Sequence, residues 1–189
     1  MTDPRCPWCH GDPLYLTYHD TEWGVPERDG RALWEKLILD GFQAGLSWIT
    51  ILKKRDNFRA AFAGFRPDII ASWGEPEVAS LLTDAGIIRH RGKIEGTIKS
   101  ARAFLAIDAQ TGFSQFLWAF VDGKPLQNDF AAGQIPTQTA ASQAMSKALK
   151  AKGFTYCGPT ITYAYMQAAG MVNDHLITCP RHADVKDLP

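Results

Sequence analysis

Residues 93–107 read KIEGTIKSARAFLAI. Ile94, Ile98, Ala101 and Leu105 recur three or four positions apart, which puts them on one face of an α-helix with polar residues opposite. Working outward, the same period returns. Leu33, Trp34, Leu37 and Ile38 follow Asp29, a residue type suited to capping a helix start. Gly41 and Gly45 are expected to weaken or break that helix. Further helices are expected over 13–20, 47–55, 57–65, 67–73, 77–85 and 113–120. The second of these ends in Lys53, Lys54 and Arg55, a composition suited to a helix C-terminus. Thr139 or Ser142 starts a helix that runs through Lys152 and stops at Gly153. Pro159 suits the first turn of the next, which reaches about Ala169. Residues 121–141 read as a connecting loop, and the polar tail after Cys179 as loosely held. No stretch alternates with period two, so no strand is expected. The fold class is all-α, one domain over 1–189, without internal repeats.

Charge and cysteine content narrow the function. Lys plus Arg is 20 and Asp plus Glu is 20. A globally basic nucleic-acid coat protein or a polybasic membrane binder is thereby excluded, and any grip on a polyanion must be local. No run of about 18 apolar residues occurs, so no membrane span is expected. The first residues lack a basic segment followed by an apolar one, so the expected location is cytoplasmic, where thiols stay reduced. Four cysteines are too few for a disulfide-built scaffold.

The cysteines allow several readings. Cys6-Pro7-Trp8-Cys9-His10 matches the C-x-x-C-H of c-type haem attachment, which requires an extracytoplasmic address. A thioredoxin-like redox pair would follow a strand, and none precedes it. His175 and Cys179, four apart, can chelate one metal, and Cys6 with His19 offers a second pair. Two Cys and two His make a closed tetrahedral zinc site. Cys9, His10 and His182 are rival ligands, and spacing alone also allows four unrelated residues. Cys157 reads as a small buried side chain.

Asp40 ends the apolar run Leu37-Ile38-Leu39. A carboxylate there is a candidate acid, base or electrostatic clamp if it is buried, and an ordinary surface group or helix cap if it is not. Trp8, Tyr15, Tyr18, Trp23 and Trp48 lie near it or near the candidate ligands in sequence. Aromatics usually serve the core, but around a carboxylate they suit a pocket for a flat, cationic ring. The basic stretches are Arg89-His90-Arg91-Gly92-Lys93, Lys53-Lys54-Arg55, and Lys147, Lys150 and Lys152. Each alone reads as a solvated face, but the neighbouring Gly turns suit phosphate contacts.

Several long segments then point one way. They are 12–15 (DPLY), 18–20 (YHD), 22–26 (EWGVP), 43–50 (QAGLSWIT), 84–94 (DAGIIRHRGKI) and 172–175 (VNDH). Together they strongly resemble the 3-methyladenine DNA glycosylase I family of constitutive alkylation-repair enzymes, from about residue 6 to 179. The resemblance implies a helix-hairpin-helix glycosylase fold with helical lobes around a base-binding cleft. It implies one structural zinc (Zn2+) per chain on Cys6, His19, His175 and Cys179, tying the chain ends together. It places base-binding roles on Tyr15, Tyr18, Trp23 and Trp48, and the acidic catalytic position on Asp40. That position usually reads Glu in the family, and Phe42 stands where a polar residue is expected. Asp is one methylene shorter, and a displacement of about 1 Å at a reacting centre can cost on the order of 10²-fold.

The implied partners are double-stranded DNA carrying alkylated adenine and free 3-methyladenine as product, with the protein a monomer and away from membranes. The candidate DNA-binding hairpin is the helix pair over 142–170, around Gly153; the pair around Gly86 and Gly92 is the second choice. DNA affinity is expected to rest on the hairpin and on the Arg89–Lys93 stretch. The implied activity is hydrolytic release of 3-methyladenine without strand cleavage, since no Lys occupies a matched nucleophile position. The alternative is a zinc-stapled damage-binding protein whose catalysis the Asp40 exchange has impaired.

Overall fold

The computed structural model describes residues 3–188. Its helices in chain order are α1 (Pro13–Thr21), α2 (Gly30–Gln43), α3 (Trp48–Ala61), α4 (Pro67–Ile70), α5 (Glu75–Thr83), α6 (Arg91–Thr111), α7 (Phe113–Trp118), α8 (Ala140–Ala151), α9 (Pro159–Ala168) and α10 (Pro180–Asp184). Short 3-10 turns at Pro7–Cys9, Ala63–Phe65 and Ala119–Val121 join them. The protein is therefore mostly helical, as its periodicity predicts. A two-residue strand β1 (Leu126–Gln127) pairs in parallel with β2 (Val172–Asn173). Four residues carry no readable alternation, so this ladder has no signature in the sequence.

Helix α2 runs through the centre. Asp29 caps it by accepting from the Ala32 amide at 2.8 Å, as expected. Leu33, Trp34, Leu37, Leu39 and Phe42 are all buried. The Trp34 indole donates to Ser100 Oγ at 3.2 Å, fixing α2 against α6. Gly41 does not end α2. One glycine costs a helix only about 1 kcal/mol, and α2 continues through it to Gln43, with Tyr156 of the turn before α9 lying alongside. Gly45, at φ +84°, is in the turn beyond.

Three other expectations change. Residues 47–55 and 57–65 do not form two helices, because α3 runs unbroken from Trp48 to Ala61. Asp56 and Asn57 are only mild helix formers and do not break the chain as Gly or Pro would. The basic run therefore sits in mid-helix, with each cation partnered: Lys53 by Asp12 at 2.6 Å, Lys54 by the Ala85 carbonyl at 2.9 Å, Arg55 by Glu22. In α6, Ile94, Ile98 and Ala101 are buried, but Leu105 is 38% exposed and Phe104 takes the inward position. The segment after Cys179 is not loose. It forms α10 and buries Val185.

Phe42 packs on Phe58 and Phe62, with ring centroids 4.7 and 5.8 Å away. It extends the main core. A second, smaller apolar cluster joins Cys6, Tyr18, Trp23, Leu52, Ala168, Leu176 and Cys179, and the site is built around it.

Candidate active site and metal centre

A cavity of about 260 Å³ opens between α1, α2, α3 and α9. Trp8, Tyr15, Tyr18, Trp23 and Trp48 form its aromatic walls, and Asp40 lies in the lining. The sequence thus brings all five proposed pocket residues to one place. Trp8 packs edge-on to Tyr15 at 4.9 Å and to Trp23 at 5.0 Å, and Tyr18 leans on Trp48 at 5.5 Å. Gln43, Ile135, Ala164, Gln167 and Ala168 complete the wall. Neither glutamine was picked out from the sequence. Gln43 follows Asp40 by three positions on α2, so helical spacing from that candidate finds it; nothing in the sequence marks Gln167.

Asp40 is 2% exposed. Its Oδ2 and the Trp48 Nε1, both buried, have no hydrogen-bond partner among the described residues. Two residues of the pocket lining therefore each carry a buried polar atom without a protein partner. Burial pushes the Asp40 carboxyl up to about 8, opposed by the positive charge of Lys36. Burial, and then the Asp40 charge, raise Tyr18 well above the usual phenol range, so it stays neutral. Phe42 does not line this cavity.

Beside the pocket stands a Cys and His cluster. The ligand atoms of Cys6, His19, His175 and Cys179 all lie within 4.8 Å of one another, and all four residues are buried. Cys179 Sγ is 3.5 Å from His19 Nε2 and 3.8 Å from His175 Nδ1, and Cys6 Sγ is 3.8 Å from His175 Nδ1. A tetrahedral centre with S and N ligands has edges of about 3.6 Å, from bond lengths of about 2.3 and 2.0 Å. The donor set fits a metal ion.

The outer ring nitrogens support that fit. His19 Nδ1 lies 2.8 Å from Asp20 Oδ1, and His175 Nε2 lies 3.0 Å from the Trp23 carbonyl. Each therefore carries its proton outward and turns a lone pair inward. Burial holds His175 down to about 3, so it is neutral. Burial also pushes Cys6 up to about 12, and a bound cation is what would keep that thiolate charged. Gly24, at φ +80°, makes room for the His175 ring: a Cβ there would sit 2.9 Å from Nε2.

The rival ligands lie elsewhere. Cys9 is buried and donates its thiol to the Cys6 carbonyl at 3.0 Å. His10 lies near Asp3, and His182 Nε2 meets the Asn128 carbonyl at 2.9 Å. Cys157 is a small buried core side chain. The Cys and His cluster and the pocket also share an organiser. Asp174 accepts from Gln167, Tyr163 and Asn128, each at 2.7 Å, immediately before His175.

The basic stretches divide. Arg91 is held by Glu75 at 2.9 Å and Glu95 at 3.1 Å. Lys93 is buried and donates to the carbonyls of Phe42 and Ala44 at 2.9 and 2.7 Å. The stretch 89–93 therefore leaves Arg89 as its exposed cation without an ion pair among the described residues. Lys147, Lys150 and Lys152 are exposed, with no ion-pair partner among the described residues. Helices α8 and α9 pack against each other across the turn at Gly153, which has φ +98°. No helix of the described residues is long and apolar enough to cross a membrane.

Comparison with known proteins agrees with this architecture. The methyladenine glycosylase family model matches residues 8–182. DNA-3-methyladenine glycosylase 1 of Escherichia coli strain K12 is 53% identical over 178 residues, 93% of this chain and 95% of that protein. A crystal structure of 3-methyladenine DNA glycosylase I superposes with TM-score 0.91 at 53% identity, covering 93% of this chain and 98% of that one. A variant of 3-methyladenine DNA glycosylase I crystallised in complex with 3-methyladenine superposes with TM-score 0.90 at 38% identity, over 93% and 95% of the two chains. The matched span carries every pocket residue and three of the four clustered Cys and His side chains, and the chain belongs to the methyladenine glycosylase family.

Proposed function

We infer that this protein is a DNA base-excision repair glycosylase that flips and hydrolytically releases 3-methyladenine from alkylated DNA. The observation that carries the reading is a buried carboxylate with an unpartnered oxygen in an aromatic-walled cavity, in a chain of this family.

An adenine alkylated at N3 is cationic, so its glycosidic bond is already weak. When that bond breaks, its electron pair goes to the base, which leaves neutral. Water adds to the sugar C1′ and gives up a proton, and no strand is cut. The protein's tasks are to extrude, hold and discriminate. Tyr15, Tyr18 and Trp48 flank the flipped ring, and Trp8 and Trp23 brace them. Ionised Asp40 attracts the cation and hydrogen-bonds it. Neutral adenine gains no such attraction, so rejection of normal bases is partly electrostatic. At neutral pH the free Asp40 is mostly protonated, since its pKa is about 8. Entry of a cationic base favours loss of that proton.

Cys6, His19, His175 and Cys179 would hold one structural zinc, which closes the chain ends and supplies no step of the reaction. The hairpin of α8 and α9 serves as the DNA-binding element. Its first helix carries the free lysines, and its second lines the pocket through Ala164, Gln167 and Ala168. Double-stranded DNA is the substrate, and the protein acts as a cytoplasmic monomer.

The test is release of 3-methyladenine from methylated duplex DNA by the purified protein, measured against depurination without enzyme. Release above that background is expected. Tight binding to methylated DNA without release would replace the enzyme reading with that of a damage-binding protein.

A further inference from the structure

Behind Asp40 lies a second cavity, of about 140 Å³, separated from the base pocket by Tyr18, Asp40, Trp48 and Ala168, which line both. Lys36 lines only this rear cavity. It stands four residues before Asp40 on α2, so the two side chains rise from the same helix face one turn apart. The Lys36 ammonium is 3.5 Å from the Ala168 carbonyl, at the end of α9. It makes no ion pair among the described residues. We propose that Lys36 is a positioning residue, which acts on the Asp40 carboxyl through the rear cavity, favours its ionised form and aims it at the base. This rests on the reading of Asp40 as the group that recognises the base.

The surroundings single out Lys36. Just after α1, Glu22 faces the cavity but is occupied by Arg55 of α3, at 2.6 Å. Glu35 of α2 is likewise taken by Arg59 of α3, at 2.7 Å. Glu27, between α1 and α2, accepts from the amides of Arg28 and Asp29, both at 2.9 Å. Tyr18 and Tyr165 are neutral, because burial and the Asp40 charge raise both phenols. Burial lowers the pKa of Lys36, while Glu22, Glu27 and then Asp40 favour its charged form; Lys36 is in turn the one charge that lowers the Asp40 carboxyl's pKa against burial. The cavity has room for several waters, each needing about 10–15 Å³. Asp40 and Lys36 both line it and offer such waters polar partners.

The experiment is a ¹³C NMR titration of the Asp40 carboxyl in the wild type, Lys36→Met, Lys36→Gln and Lys36→Arg, with no base or DNA present. It reads the carboxyl itself, so it is independent of whether Asp40 touches the base; Asp40→Asn, assayed for base release, tests that separately. Both neutral variants should raise the Asp40 midpoint by about one unit, and Arg should leave it in place. Activity of Lys36→Met at pH 7 should fall about tenfold and recover near pH 10. A merely structural role would instead lower activity equally at every pH. In the wild type, the Lys36 ¹⁵Nζ resonance should step at the Asp40 midpoint, and Asp40→Asn should abolish that step. The last measurement needs no folded Lys36 variant. An unchanged Asp40 midpoint in a neutral variant, or no such step in the wild type, overturns the proposal.

Discussion

The His175 Nε2 nitrogen lies 3.0 Å from the Trp23 carbonyl oxygen, so the backbone of one pocket wall orients a candidate metal ligand. Trp23 also packs edge-on to the His175 ring, with centroids 4.6 Å apart. The base pocket and the Cys and His cluster are therefore one mechanical unit. Loosening either should loosen the other.

That coupling predicts the effect of Cys179→Ser. The variant should lose its metal and about 3–5 kcal/mol of stability, from the values of cross-links and metal sites that close long loops. For a chain this long, the melting temperature should fall by about 10 °C. Affinity for free 3-methyladenine should fall with it, because Trp23 loses its anchor. Metal content by elemental analysis is the check, with Cys9→Ala as the control that keeps the metal. If Cys179→Ser retained one zinc per chain, the ligand set would be wrong.

Asp40→Asn removes the attraction for a cationic ring while keeping the side chain's shape. At pH 9 its kcat/KM on methylated DNA should fall by about 10²-fold, in line with the loss of other preorganised electrostatic contacts. The wild type should show kcat/KM rising with pH through a single step near 8, where free Asp40 ionises. The Asn variant should lack that step. A wild-type profile that is flat from pH 6 to 9 would remove Asp40 from the recognition step.

The same carboxyl should weaken the fold at neutral pH. Its pKa is about 8 when folded and 3.8 when free. Below pH 4 it is neutral in both states. From pH 4 to 8 the unfolded chain loses the proton first, so stability drains as pH rises; above 8 both states are ionised and the loss is complete. Asp40→Asn never ionises. It should therefore match the wild type near pH 4 and exceed it increasingly up to pH 8, by up to about 5 kcal/mol. Thermal melts of the two proteins across that range decide the matter. Parallel curves would show that Asp40 is solvated in the fold.

Helical spacing makes the position of Asp40 on α2, and the hydrophobic face around it, readable from the sequence. Caps at Asp29 and Thr139 and the break at Gly153 are equally local, and they fall where expected. Other features depend on distant chain. Gly41 reads as a helix breaker, but the burial of α2 on both sides of it carries the helix through to Gln43. Lys93 reads as a free cation until it is found buried at the carbonyls of Phe42 and Ala44. Cys6 and His175 are 169 residues apart, so no local spacing links them, and only family resemblance selected them over Cys9 and His182. The rear cavity had no sequence signal, because its walls come from α1, α2, α3 and α9 together.

Lys147 and Lys150 supply the last prediction. Both are exposed on α8, on the flank of the hairpin turn. Most other cations of the basic stretches are committed within the fold, as Lys53, Arg55 and Arg91 are by their ion pairs. If the α8–α9 hairpin grips the DNA backbone, each lysine neutralises about one phosphate and releases its counterion. Lys147→Ala and Lys150→Ala should then each reduce the slope of log affinity against log salt by about 0.9. Affinity should fall for methylated and unmethylated duplex alike, because phosphate contacts carry no base information. Affinity for free 3-methyladenine should stay unchanged, since neither residue lines the pocket. Fluorescence anisotropy at several salt concentrations measures both quantities. Wild-type slopes in both variants would move the DNA-binding surface off α8, toward the exposed Arg89 beside the Gly86 turn.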